Sequence, residues 1–346
     1  MEPEILFSRT GGVGRMLLNR PKALNALTLE MSHALEKQLR GWAVDDRVRA
    51  VAIRAAGERA FCAGGDIRKL YEVSKTGGDY PYRFWADEYR LDALIKHYRK
   101  PYVALIDGIA MGGGVGISVH GCHRVVSEHA VFAMPETGIG LFPDVGGSYF
   151  LPRCPGRIGL YLGLTGARLK AADLLYAGIA THYVPRARLG ALESALAADA
   201  GNVDGVLAAF AENPGPALLA DRRQEIDRLF AGESLAAVVS AVTADGGAFA
   251  RATAEVMASK SPTALHLAFR QLLEGARLDF DDCLRMEWRM VSRVPKELPD
   301  FYEGVRAAVI DKDNRPRWSP ARLEDVDPAS LDRFFAPSPH GELELF

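Results

Sequence analysis

Several large classes of function lack their usual marks in this sequence. Its four cysteines, Cys62, Cys122, Cys154 and Cys283, are widely scattered, with no CxxC pair and no Cys/His cluster at zinc spacing. That argues against a disulfide framework or a structural zinc site and suits a reducing compartment. His120, His123 and His129 look grouped, but no cysteine or acid completes a metal-ligand spacing. The formal net charge is only −2, so no global field would draw in nucleic acid or an acidic membrane. No apolar run is long enough to span a bilayer. Met1 to Ser8 carries no basic n-region, apolar h-region or Arg/Ser-rich transit pattern, and a cytoplasmic protein is expected. Nucleotide signatures are missing too. No GxxxxGK followed by Ser or Thr occurs, and no GxGxxG follows an opening strand. Ser148 follows two glycines, but the GxSxG elbow of serine hydrolases is absent.

What remains is an ordinary globular composition over 346 residues, 48% hydrophobic and 25% charged, with length for a large core. Ile5–Ser8 and Val13–Leu18 read as strands around a Gly11–Gly12 hairpin. Thr28 is a plausible N-cap for a helix whose inner face is Met31, Leu35, Leu39 and Trp42. Strands are predicted at Val48–Ala55, Tyr102–Ile106, Arg124–Ser127 and Val131–Ala133. Between Arg68 and Lys100 the pattern is helical and rich in aromatics, interrupted at Thr76–Pro81. It is a candidate lid or ordinary core packing. After Ser148 the chain reads as helical. An α/β core with a helical C-terminal part is therefore predicted.

Two glycine turns, Gly64-Gly65-Asp66 and Gly112-Gly113-Gly114, each sit between a strand and a helix start. Unpaired N–H groups at helix starts point outward with positive character. Brought together, two such turns could hold one oxygen, or they could be tight structural turns and no more. Asp66 reads as a helix cap. Cys62, beside the first turn, reads as a small apolar filler rather than a nucleophile. Glu136 and Asp144 each follow a proline, Pro135 and Pro143, in an otherwise apolar, glycine-rich stretch from Val131 to Gly147. Proline fixes its own φ, so each acid sits on a stiff bend. Carboxylates held in an apolar wall have the raised pKa that acid–base chemistry uses.

These pieces together resemble the enoyl-CoA hydratase/isomerase (crotonase) superfamily. The matching runs are FCAGGDI at Phe61–Ile67, GIAMGGGVG at Gly108–Gly116 and MPETGIGLFPDVGG at Met134–Gly147. Longer runs resemble its 3-hydroxyisobutyryl-CoA hydrolase branch: YFLPR from Tyr149, AGIATH from Ala177 and EGVRAAVIDKD from Glu303. The resemblance implies a crotonase-like spiral of ββα turns over residues 1–185, with a helical C-terminal region over 186–346, the two forming one functional unit. It implies an acyl-CoA substrate, no redox or metal cofactor, no nucleic-acid or membrane partner, and compatibility with a homo-oligomer.

By position, the resemblance implies that the amides of Gly65 and Gly113 hold the thioester oxygen. Glu136 would be the main catalytic carboxylate and Asp144 the second. Glu88 would contact substrate, and Ala63, Gly64 and Asp66 would bind CoA. The implied reaction is hydrolysis of 3-hydroxyisobutyryl-CoA, a valine-breakdown step, by attack of Glu136 or by water that Glu136 activates. Hydratases carry a second glutamate two residues past the triple glycine, where this chain has Gly116. The alternatives are an enoyl-CoA hydratase or isomerase, and a non-catalytic CoA-ester-binding protein.

Overall fold

The structure is a computed structural model and describes residues 3–74 and 77–346. Met1, Glu2 and Thr76, named in the sequence reading, lie outside the described residues. Strands β1 (Ile5–Thr10) and β2 (Val13–Leu18) form the expected antiparallel hairpin, in which Thr10 pairs with Val13. The two-residue turn works because Gly11 takes φ +55°, which glycine adopts without steric cost. Helix α1 (Leu29–Ala43) starts on Thr28, whose Oγ1 accepts from Met31 N–H at 3.1 Å. Met31, Leu35, Leu39 and Trp42 are all buried, as their spacing predicts.

The chain then winds as a spiral. β3 (Ala50–Ala55), β5 (Tyr102–Ile106), β7 (His123–Val126) and β9 (His182–Tyr183) add in parallel to the hairpin, giving the order β1-β2-β3-β5-β7-β9. Each turn also places one strand in a second parallel sheet, β4 (Ala60–Cys62), β6 (Ile109–Met111) and β8 (Val131–Ala133). Helices α2 (Ile67–Ser74), α3 (Tyr80–Lys96) and α4 (Gly113–Val119) fill the turns. This is an α/β spiral with a helical C-terminal region, as the resemblance implies. The large sheet is covered on both faces, which is why β5 reads as a continuous apolar run with all five residues buried. One face meets the main core. The other meets Val184, just after β9, and Leu192, Leu196, Val203 and Leu207 of the helices that follow.

Several details differ from the sequence reading, among them the unpredicted short strand β4. An unpredicted strand, β6, leads directly into the second glycine turn, and Gly113 and Gly114 already lie inside α4. A three-residue strand flanked by glycines gives too short a pattern to detect. β9 was hidden for the same reason in a stretch read as helical. β1 runs two residues past Ser8 because its partner strand supplies hydrogen bonds up to the turn. Among the described residues no helix is long and apolar enough to cross a membrane.

Candidate active site

The starts of α2 and α4 bring the two glycine turns together at the ends of β4 and β6. Backbone contact here is close, and at Gly114 only glycine fits. A β-carbon on Gly114 would collide with the carbonyl of Cys62, and one on Gly113 would stand 3.3 Å from Gly65 N. Cys62 itself is buried, and burial pushes its thiol up to about 12, as befits a filler. Between the turns opens a cavity of about 140 Å³. Ala63, Gly64, Gly65, Glu88, Gly113, Glu136 and Asp144 all line it. Every predicted site residue except Asp66 is thus gathered at one place from four stretches of chain.

The carboxylates there are buried and poorly partnered. Glu136 begins a 3-10 turn (Glu136–Ile139), its Oε1 packs against Gly112, and its Oε2 has no hydrogen-bond partner. Burial, then the nearby charge of Asp144, holds its pKa well above the usual range, with Lys260 pulling the other way. Glu88 lies on α3. Its Oε1 is unpartnered and sits where a Gly113 β-carbon would go, and burial with Asp144 raises its pKa well above normal. Asp144 Oδ2 accepts from the Tyr89 hydroxyl at 3.2 Å. Burial raises its pKa to about 7 against that bond.

Phe84, Trp85, Leu141 and Phe301 make the apolar walls. The aromatic stretch is therefore core packing and cavity wall. Phe301, from the helix Pro299–Val305, meets Trp85 edge-on at 6.1 Å. The C-terminal half reaches the site behind Glu136 as well, where Ser261 N–H donates to Thr137 O at 3.1 Å.

Asp66 faces away, into an adjacent cleft of about 810 Å³ that also holds Arg20, Lys22 and Lys69. One of its oxygens caps α2 by accepting from Lys69 N–H at 3.2 Å, and the other pairs with Arg20 at 3.1 Å. The expectation of a cap is met.

Sequence reasoning missed Asp92 and Glu287, two acids buried around the site. Asp92 is wholly buried one helical turn after Glu88, and neither of its oxygens has a hydrogen-bond partner. It explains Gly116: a β-carbon there would lie 2.7 and 2.8 Å from the Asp92 oxygens and 2.9 Å from Val145 Cβ. The space above Gly116 is taken by a carboxyl from another helix. Glu287, on the helix Phe280–Val291, is also wholly buried. Burial raises it to about 8 while donors from Ser148 and Gly146 hold it down. Each acid lies on the buried face of its helix, Asp92 with Leu91 and Ile95, and Glu287 with Cys283, Leu284, Met290 and Val291. An acid in phase with an apolar stripe was the available signal.

His120 is buried, and its Nε2 lies 2.7 Å from Val145 O, an acceptor, so the nitrogen carries the proton. Burial pushes its pKa down to about 3, so the ring is neutral. Among the described residues no group of three or more His, Cys, Asp or Glu is arranged to hold a metal ion.

This acid cluster has a consequence for stability. Glu88, Asp92, Glu136, Asp144 and Glu287 all have folded-state pKa values above their ordinary ones. The folded state therefore holds protons that the unfolded state has released, and stability must fall as pH rises through the folded values. Between pH ~7 and ~9 histidines are neutral in both states, and the carboxyls act together with the thiols of Cys62, Cys154 and Cys283, which burial pushes up to about 12. The expected result is a Tm that drops by several degrees across that window, with a shallower slope in Asp92→Asn. Scanning calorimetry at stepped pH measures it, and a flat or rising Tm would contradict the cluster's raised affinities.

Comparison with known proteins adds the following. The enoyl-CoA hydratase/isomerase family matches residues 13–335. A Danio rerio protein named 3-hydroxyisobutyryl-CoA hydrolase, mitochondrial, is 47% identical over 99% of this chain and 92% of its own. The Homo sapiens protein of that name is 43% identical over 96% of this chain and 88% of its own. Among solved structures, a carnitinyl-CoA dehydratase from Mycobacterium thermoresistibile superposes with a TM-score of 0.94 at 43% identity, covering 99% of both chains. An enoyl-CoA hydratase from Rhodobacter sphaeroides 2.4.1 gives 0.93 at 40% identity, covering 99% of this chain and 100% of its own.

Proposed function

Because the chain belongs to the enoyl-CoA hydratase/isomerase family, we propose that it hydrolyses an acyl-CoA thioester, with 3-hydroxyisobutyryl-CoA as substrate and 3-hydroxyisobutyrate and CoA as products. The observation that carries this reading is the meeting of Glu136, Asp144 and Glu88 with the Gly65 and Gly113 turns around one small cavity. The two amides hold the thioester oxygen as it gains charge, each contributing about 3 kcal/mol to the transition state. The unpartnered oxygen of Glu136 either attacks the carbonyl carbon, giving an anhydride that water then hydrolyses to the free acid and Glu136, or takes the proton of a water that attacks there. The C–S bond breaks, and the thiolate leaves as CoA and gains a proton. Asp144 with Tyr89, and Glu88, receive the 3-hydroxyl of the acyl group.

The CoA portion lies along Ala63 and Gly64 and past Asp66 into the adjacent cleft, where Lys22 and Lys69 meet its phosphates. Residues 1–185 and 186–346 work as one unit, since Phe301 and Ser261 of the second stretch complete the site of the first. The cytoplasmic placement expected from the sequence is carried forward with this proposal. The animal relatives are mitochondrial by name, and fractionation of source cells decides between the two.

A second reading, addition of water to an enoyl-CoA, is favoured by the descriptions of the two solved structures. Against it stands Gly116, which supplies no second carboxylate from α4 and has no room for one beneath Asp92 and Val145. The test is free-thiol release from 3-hydroxyisobutyryl-CoA. Release should be unaffected by EDTA. Isobutyryl-CoA, lacking the hydroxyl, should be slower by at least about tenfold, the value of one hydrogen bond of ~1.5 kcal/mol. Fast hydration of crotonyl-CoA with no thiol release from the hydroxy ester would overturn the proposal.

A further inference from the structure

The bend that carries Asp144 is strained and held from three sides. Val145, a β-branched residue, sits at φ +51°, a conformation that L side chains rarely adopt, and Gly146 follows at φ +82°. His120 Nε2 donates to Val145 O at 2.7 Å, and Gln271 Nε2 donates to Pro143 O at 2.5 Å. On the opposite side the Glu287 carboxylate accepts from Gly146 N–H at 2.7 Å, Ser148 N–H at 2.9 Å and Ser148 Oγ–H at 2.5 Å. The Gly146 and Ser148 N–H groups beside this left-handed bend make a concavity that suits an acceptor oxygen, and here the buried carboxyl of Glu287 fills it.

We propose that Glu287 is a positioning residue: its carboxylate holds the Val145–Gly146 bend in its strained form and so fixes the direction in which Asp144 enters the cavity. The proposal rests on the reading that Asp144 serves the reaction. All three strong partners of Glu287 are donors, so two acceptor oxygens are needed. A glutamine there would set its own NH2 against one of those donors. His120 and Gln271 cannot substitute for it, because they hold carbonyls and leave the Gly146 and Ser148 amides unserved. With residues 143, 145, 146 and 148 each tied to a buried side chain, the 144 side chain is left to meet Tyr89 and the cavity.

The experiment compares wild type, Glu287→Gln, Ser148→Ala and the double variant Glu287→Gln with Val145→Gly. Thiol release is read together with hydrogen-exchange mass spectrometry of the peptide spanning residues 142–150. In Glu287→Gln, kcat should fall by about a hundredfold, as expected for a group displaced by ~1 Å, with KM within about threefold. The 142–150 peptide should lose protection while the strands keep theirs. Ser148→Ala, which deletes one donor and keeps the carboxylate, should show the same pattern more weakly. Adding Val145→Gly should recover about tenfold of the lost kcat, because glycine takes that φ without strain. A general loss of packing would not be mended by a second cavity-making change.

Unchanged kcat in a folded Glu287→Gln protein overturns the proposal. So does a kcat loss with the 142–150 peptide still protected, or one that Val145→Gly fails to relieve. If the wild type released no thiol from any acyl-CoA, the functional reading would fall on that result alone. The crystal structure of Glu287→Gln would then decide the positioning claim, with an unmoved Asp144 side chain overturning it.

Discussion

Replacing Glu136 with glutamine is expected to cut thiol release by several powers of ten while CoA-ester binding stays nearly intact. Glutamine has almost the same shape, so the Phe301 and Leu141 walls and the Gly112 contact survive. What it lacks is an oxygen that can become a nucleophile or take a proton. In the free protein that oxygen is Oε2, buried and unpartnered, an arrangement costly enough that folding alone does not account for it. A group that acts only in the transition state lowers kcat and kcat/KM together when removed. Isothermal titration with a non-hydrolysable ester analogue and single-turnover thiol release separate the two. Near-normal turnover in Glu136→Gln would remove Glu136 from the mechanism. The pH dependence of the wild type should agree. Because Asp144 loses its proton at about 7 and Glu136 only above the usual carboxylate range, the rate should rise with pH above that range.

The spiral was implied by the family resemblance, while several of the elements that build it were legible because their signals are local. Thr28 caps α1, Gly11 takes a positive φ, and β5 is apolar along its whole length, and each is legible from a few neighbouring residues. β6 and β9 were not legible, since three and two residues cannot display a period, and their pairing depends on strands far away in the chain.

The candidate site divides in the same way. Its lining was legible because Gly65, Gly113, Glu136 and Asp144 lie in glycine- and proline-rich stretches whose composition suits no ordinary helix or strand. Asp92 and Glu287 were not picked out, because each is one acid among many on a helix. Only the depth of burial, set by tertiary packing, distinguishes them from a solvated face. Val145 gives no warning at all. Its left-handed backbone is bonded to His120 and, through its neighbour Gly146, to Glu287, two residues from separated parts of the chain.

Gly113→Ala should abolish turnover in a protein that still folds, and its neighbour shows why the two effects separate. A β-carbon on Gly114 runs into the backbone carbonyl of Cys62, which cannot move without breaking β4 from α4. Gly114→Ala should therefore lower Tm steeply or prevent folding. A β-carbon on Gly113 meets the far end of the Glu88 side chain, which can swing aside, and stands 3.3 Å from Gly65 N and from Glu88 Cδ. The fold tolerates that, but the site does not. The methyl group fills the space between the two turns where a thioester oxygen would accept from both amides, and it displaces Glu88. Losing one such donor costs on the order of a hundredfold to a thousandfold in rate, so blocking access to both should cost at least about a thousandfold. Adding Glu88→Ala relieves the collision and leaves the methyl group over Gly65 N. If the oxygen pocket is what fails, the double variant stays inactive. Thiol release and Tm measured on Gly113→Ala, Gly114→Ala and the double variant make the comparison. Recovery of turnover in the double variant would move the defect from the amides to Glu88, and turnover within about tenfold of wild type in Gly113→Ala itself would end the assignment of Gly65 and Gly113 as the pair that holds the oxygen.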